Sequence, residues 1–125
     1  MQKNAKRPIY LNLVEISLPI GGKVSIIHRM TGAVMALLTP FALWALQASL
    51  ESPARFEQIK TTLSSGLGRA VMLFALWMLV QHLYSGIRHL LMDVDVGVDL
   101  VPARRSAWLT LAASVITVAL VGVLL

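Results

Sequence analysis

Hydrophobic residues along the chain fall into three long runs that contain no Asp, Glu, Lys or Arg: residues 30–50, 70–87 and 106–125. Each run is about as long as the 17 to 25 residues that a transmembrane α-helix needs. We therefore predict an all-α membrane protein with three transmembrane helices, which span roughly residues 24–50, 69–92 and 105–125.

The stretch between the first two runs is polar, which predicts a loop on one side of the membrane. Within it, Ser52 followed by Pro53 is typical of a helix N-cap with proline at the first helical position. We expect a short surface helix over residues 53–63. A second loop, rich in aspartate and glycine, is predicted at residues 93–102.

Composition supports one integral membrane domain, residues 1–125: 57% of the residues are hydrophobic, 14% are charged, and the mean hydropathy is +0.74. Because there is no cysteine, this chain cannot itself form a disulfide, a thiolate metal site or an iron–sulfur cluster. The pI of about 10.3 does not indicate nucleic-acid binding, since the basic residues flank the predicted spans and are not interleaved with aromatic residues.

Basic residues near the spans predict the orientation of the chain. Eight of them lie on the N-terminal side of the membrane and three on the other, which places the N-terminus in the cytoplasm and the C-terminus outside. The first 23 residues have no long apolar core and no cleavage site for a signal peptide. Their prolines, glycines and alternating apolar residues predict an extended segment that lies on the membrane surface or against a soluble partner.

Ionisable groups crowd the end of the middle run, in the motif HLYSGIRHLLMD, and such groups in a span indicate a functional site. His82, Gly86, His89 and Asp93 share one helical face. His82 lies deep enough to be an axial ligand of a haem, and Gly86 leaves room for a flat macrocycle or a close helix contact. The alternative is that His82 only forms a hydrogen bond to another helix.

The same motif also contains Arg88, His89 and Asp93. His89 lies about 10.5 Å from His82 along the helix axis, so the two cannot ligate one iron from opposite sides. We expect His89 to contact a haem propionate or an interface. Arg88 could neutralise a propionate or extend to the lipid headgroups. Asp93 could pair with Arg88 or simply end the helix.

A second polar face lies near the start of the first span, in the motif SIIHRMTG. Ser25 and Arg29 could hold a quinone carbonyl oxygen and stabilise its negative charge during reduction. The alternatives are a helix cap or backbone hydrogen bond for Ser25 and contact with lipid phosphate for Arg29. His28 is a possible second haem ligand, although a ligand from another subunit is easier to place. Since the first two helices are antiparallel, both motifs approach the same side.

Residues 25–31, 82–89 and Asp93, together with the Arg7-Pro8 pair, resemble the two signature motifs of the cytochrome b subunit of succinate dehydrogenase. The resemblance covers essentially the whole chain. It implies a membrane anchor in a heteromeric helix bundle, with three partners: a flavoprotein subunit, an iron–sulfur subunit and a second small anchor subunit. FAD and the iron–sulfur clusters would belong to those partners.

The resemblance also implies roles for individual residues, none of them catalytic. His82 would be the axial ligand of haem b, with the second ligand in the other anchor subunit. Ser25 and Arg29 would line the ubiquinone site, and His28 and Arg29 would also approach the haem propionates. A chain that starts only a few residues before Arg7 without a transit peptide fits a bacterial inner membrane.

Three alternatives remain open. A small multidrug-type transporter would need a membrane-embedded carboxylate, and none of the three apolar runs contains Asp or Glu. A haem-free structural anchor would have no need of His82 deep in its span. A fumarate reductase anchor would share every feature above, because nothing in the sequence sets the direction of electron flow.

Three helices alone have little interior in which to hide histidine and arginine, which favours an obligate partner.

Overall fold

The computed structural model describes residues 17–124, which form four helices and no strand. They are α1 (Ile20–Glu51), α2 (Pro53–Ser64), α3 (Gly66–Asp93) and α4 (Leu100–Leu124). Three of them, α1, α3 and α4, are long and apolar enough to cross a membrane. The predicted all-α fold with three spanning helices is confirmed. The expected extended N-terminal segment, with its Arg7-Pro8 pair, lies almost entirely outside the described residues.

Local capping explains where the helices begin. The first helix starts at Ile20, slightly earlier than the sequence predicts, because the Pro19 carbonyl already accepts a hydrogen bond from the Gly22 amide at 2.9 Å. The predicted surface helix is present as α2. Its N-cap is the Ser52 hydroxyl, which accepts from the Arg55 amide at 3.2 Å as the Ser-Pro pair indicates.

The connection from α3 to α4 is a tight turn. The helix α3 ends at Asp93, and the next residues bring the chain back with two positive backbone angles, φ 60° at Asp95 and φ 76° at Gly97. Glycine adopts this left-handed region at little cost, and aspartate does so more readily than most other residues. The short turn therefore fixes α3 and α4 as antiparallel neighbours.

The interior of the helix bundle is small and polar, while its surface is apolar. Large side chains such as Leu37 and Leu90 are 72% and 67% exposed, as lipid-facing residues would be. The fully buried side chains include Gln81, Ser85 and Ser114. Membrane helices associate through small residues and interhelical hydrogen bonds, because lipid removes the hydrophobic drive between them.

Hydrogen bonds between α3 and α4 form what we call the α3–α4 ladder: Gln81 bonds to Ser114, Tyr84 to Thr117 and Arg88 to Ser106. Ser85 supports the ladder from within α3, through its bond to Gln81. At its centre the Ser114 hydroxyl donates to Gln81 Oε1 at 2.6 Å, and Gln81 Nε2 donates to Ser85 at 2.8 Å. Both polar ends of the Gln81 amide are thus satisfied inside the bundle. The ladder fixes the register of α4 against α3.

We expect Ser114→Ala to destabilise the bundle by about 1 kcal/mol, since it leaves a buried amide oxygen without its donor. Thr39→Val is the matched control, because it also removes a hydroxyl, and the Thr39 hydroxyl bonds to the Met35 carbonyl of its own helix. Thermal denaturation of the purified membrane protein in one detergent compares the two. Equal melting temperatures for both variants would show that the ladder contributes no stability.

Candidate functional site

Three histidines from two helices meet near one end of the bundle, and we call them the histidine cluster: His28 of α1, with His82 and His89 of α3. The rings of His28 and His82 stack, with centroids 4.1 Å apart and planes 19° from parallel. The His89 ring lies 5.2 Å from that of His28. The two sequence motifs therefore converge, as the antiparallel arrangement of α1 and α3 predicts.

The orientation of the His82 ring is fixed by hydrogen bonds on one of its nitrogens. Nδ1 lies 3.1 Å from the His28 carbonyl oxygen and 3.3 Å from the Thr31 hydroxyl. The Thr31 hydroxyl already donates to the carbonyls of its own helix at 2.9 Å. A proton on Nδ1 that is donated to the His28 carbonyl therefore suits this network best, which leaves the lone pair of Nε2 available.

Two glycines make room for the rings. A Cβ atom added at Gly32 would lie 2.9 Å from Cε1 of His82, a distance that would force the ring to shift. A Cβ added at Gly86 would lie 3.4 Å from Nε2 of His28. The absence of a side chain at Gly86 therefore lets the His28 ring approach α3 closely. Gly32 and Gly86 thus allow the imidazoles to pack directly against the opposite backbone.

Ser25 and Arg29 lie on α1, one turn apart and on the same end of the bundle as His28. Ser25 is half-buried and Arg29 is exposed. The N-cap of α1 is Pro19, so Ser25 lies inside the helix and the suggestion that it caps the helix is wrong. A hydroxyl and a guanidinium are therefore presented side by side near the histidine cluster.

Arg88 is placed differently from the other predicted site residues. Its side chain points to α4, where Nε donates to the Ser106 hydroxyl at 3.0 Å and Nη2 to the Ala103 carbonyl at 3.2 Å. The residue is only 6% exposed, so it does not extend to the lipid headgroups. Asp93 forms no ion pair with Arg88 and instead ends α3. The three spanning helices bury this one arginine because α4 supplies its acceptors, whereas Arg29 is exposed and the three histidines are only half-buried.

The sequence interpretation missed the polar face of α4 and named no candidate residue on that helix. The signal was present: Ser106, Thr110, Ser114 and Thr117 recur at helical spacing on one face. It also missed Gln81, next to His82, as the partner of that face. These residues hold α3 in place, and α3 carries two of the three histidines.

Comparison with known proteins decides the family. The family model described as succinate dehydrogenase/fumarate reductase transmembrane subunit matches residues 3–121. The chain belongs to this family. The resemblance of its motifs to the cytochrome b subunit of succinate dehydrogenase is thereby confirmed, and the family excludes the multidrug-type transporter. The chain is a membrane subunit of an enzyme complex.

Individual members of the family are similar over most of their length. The succinate dehydrogenase cytochrome b556 subunit of Coxiella burnetii is 32% identical over 124 residues, which cover 96% of this chain and 97% of that protein. The corresponding subunit of Paracoccus denitrificans is 31% identical over 110 residues, or 88% and 85% of the two chains. The cytochrome b560 subunit of Reclinomonas americana is 35% identical over 103 residues, or 78% and 71%.

Proposed function

We propose that this chain is the cytochrome b anchor of a succinate:quinone oxidoreductase, that it binds haem b together with a second anchor subunit, and that it helps bind ubiquinone. Electrons from succinate would reach the quinone through an iron–sulfur subunit. The family and the relatives named cytochrome b556 support this proposal, and so do the contacts of His82. Residues 1–125 would act as one membrane domain.

The fit of haem b to this chain rests on the state of the His82 ring. A neutral imidazole that donates from Nδ1 to a backbone carbonyl and leaves Nε2 free is the usual arrangement of an axial ligand, because the second bond fixes the tautomer and raises ligand basicity. His82 has such a partner in the His28 carbonyl at 3.1 Å. Haem supplies one-electron redox chemistry when it is bound.

The second axial ligand is proposed to come from the other anchor subunit. The His28 ring stacks directly on the His82 ring, with centroids 4.1 Å apart. This leaves no room for a haem between the two rings, so His28 is not placed to be the second axial ligand. Cationic and imidazole groups at this end of the bundle, namely His28, Arg29 and His89, suit the carboxylates of haem propionates. For Arg88, the hydrogen bonds to α4 favour a structural role instead.

Ser25 and Arg29 are proposed to bind the quinone. Arg29 is exposed at the membrane boundary, where its fixed charge can stabilise negative charge that builds on a carbonyl oxygen. The Ser25 hydroxyl, one turn earlier and half-buried, can donate a hydrogen bond to that oxygen. The two side chains would orient the quinone ring toward the partner that delivers electrons.

The remaining partners follow from the proposed complex. A flavoprotein subunit with FAD would oxidise succinate, and an iron–sulfur subunit would dock near Arg29, on the cytoplasmic side. We propose a location in a bacterial inner membrane with the N-terminus in the cytoplasm and the C-terminus in the periplasm. The excess of basic residues on the N-terminal side of the spans supports this orientation.

The first experiment is a reduced minus oxidised absorbance spectrum of the complex purified through a tag on this chain, for wild type and His82→Leu. We expect a b-type signal in the wild type that is lost or strongly shifted in the variant, because the iron loses its ligand. His89→Leu is the same change in the same cluster, but it removes only a proposed contact to a propionate, so this variant should keep the b-type signal. An unchanged spectrum for His82→Leu would remove His82 from the ligand role, and a wild type without haem would leave a structural anchor.

A second prediction concerns Gly32, which lies against the ring of the proposed haem ligand His82. Gly32→Ala should reduce haem content or shift the spectrum, because the added methyl group displaces the His82 ring from the His28 carbonyl. Gly66→Ala is the control, since nothing lies within 4 Å of its added methyl group. The haem-to-protein ratio is measured for the purified complex of each variant and of the wild type. A Gly32→Ala complex with wild-type haem content and spectrum would contradict the role of Gly32.

The proposed role of Arg29 in quinone binding is tested by measuring quinone reduction, independently of haem binding. Arg29→Ala should lower succinate:quinone activity by about ten-fold or more, because a charged donor to the developing oxyanion is removed. Succinate oxidation by a soluble dye should persist. Arg105→Ala removes an exposed arginine of α4 on the same side and should leave both activities intact. Equal loss of both activities in Arg29→Ala would assign Arg29 to assembly.

A further inference from the structure

A large cavity lies at the other end of the bundle from the histidine cluster. It has a volume of about 570 Å³ and opens between the ends of α1, α3 and α4 and the surface helix α2. Its position along α1 is marked by Ser49, which lies 21 residues beyond His28. That separation is about 31 Å along the helix axis, so this cavity is distinct from the proposed haem and quinone sites.

The walls of the cavity divide into an apolar part and a polar rim. The apolar part runs along the spanning helices and includes Ala42, Leu46, Met72 and Leu73. The rim contains two hydroxyl groups and two cationic side chains: Ser49, Ser64, Lys60 and Arg69. A volume of this size falls within the range of about 300 to 1,000 Å³ that ligand pockets occupy. The arrangement suits a ligand with a polar head and a hydrocarbon tail.

The surface helix α2 contributes to both parts. Phe56, Ile59 and Leu63 are spaced three and four residues apart, so they share the face that lines the cavity. Apart from Pro53 and Ala54, the other residues of α2 are polar. A helix with this pattern lies in the boundary between headgroups and acyl chains. The polar rim therefore lies at the depth of lipid headgroups, and the apolar wall lies at the depth of acyl chains.

Charge at the rim favours an anionic ligand. The two carboxylates nearby are both paired, Glu51 with Arg55 at 3.9 Å and Glu57 with Lys60 at 3.2 Å. Among residues 17–124, Arg69 has no carboxylate within ion-pair distance. The charge of Arg69 at the rim is thus not neutralised by a carboxylate of the described residues. A cation near the membrane surface attracts anionic lipid.

We propose that this cavity binds one anionic phospholipid. The phosphate lies against Arg69, with the Ser64 hydroxyl as a donor, and one acyl chain occupies the apolar wall along α1 and α3. The lipid joins α2 to the spanning helices on the side of the membrane opposite to the proposed electron-transfer site. This site does not depend on haem or quinone binding.

The test measures phospholipid that remains with the intact purified complex after an extensive detergent wash, by mass spectrometry, followed by rebinding of phosphatidylglycerol to delipidated complex. Three variants are compared with wild type. Arg69→Gln removes the unbalanced charge. Arg55→Gln removes an equal charge from the neighbouring surface helix α2, outside the cavity. Ala42→Phe leaves every charge in place and fills the apolar wall.

We expect wild type and Arg55→Gln to retain about one anionic phospholipid per chain and Arg69→Gln to bind phosphatidylglycerol about five-fold more weakly or worse. Ala42→Phe should also lose the lipid, which tests the site even if Arg69→Gln fails to assemble. Equal losses in Arg55→Gln and Arg69→Gln would show only diffuse attraction and overturn the proposal. Retention of no lipid, or of zwitterionic lipid or quinone instead, would also overturn it.

Discussion

The fold depends on one constraint: hydrocarbon offers no hydrogen bonds, so each polar group inside the membrane must find its partner within the protein. The α3–α4 ladder meets this constraint for Gln81, Ser85 and Arg88, each of which is buried. No buried polar side-chain atom among the described residues lacks a hydrogen bond. Hydroxyl groups of α4 thereby let α3 carry amide and guanidinium groups that lipid alone would not accept.

The same helix α3 presents two different faces, and the ladder keeps them apart. One face turns to α4 through Gln81, Ser85 and Arg88, and the other turns to α1 through His82 and His89. Because the first face is fixed by several hydrogen bonds, the rotation of α3 is fixed as well. With that rotation, the His82 ring meets the His28 carbonyl and lies against Gly32.

Sequence reasoning predicted the three spanning helices, the Ser52-capped surface helix and the approach of His28 to His82, since these follow from runs of apolar residues, local capping and helix direction. It did not predict the place of Arg88. Helical spacing put Arg88 beside His89, but the guanidinium reaches across to Ser106 and Ala103 on another helix. The direction of the Arg88 side chain depends on which neighbouring helix supplies a hydrogen-bond acceptor. The spacing of residues on α3 alone does not show which helix that is.

The buried guanidinium also has a consequence for how the chain is made. In a membrane, α3 without α4 would hold Arg88 with neither the Ser106 hydroxyl nor the Ala103 carbonyl, at a cost of a few kcal/mol for an unpaired arginine within a span. The tight turn at residues 94–99 keeps those two acceptors of α4 beside α3. Insertion of α3 and α4 together, as one hairpin, is therefore favoured over insertion of α3 alone.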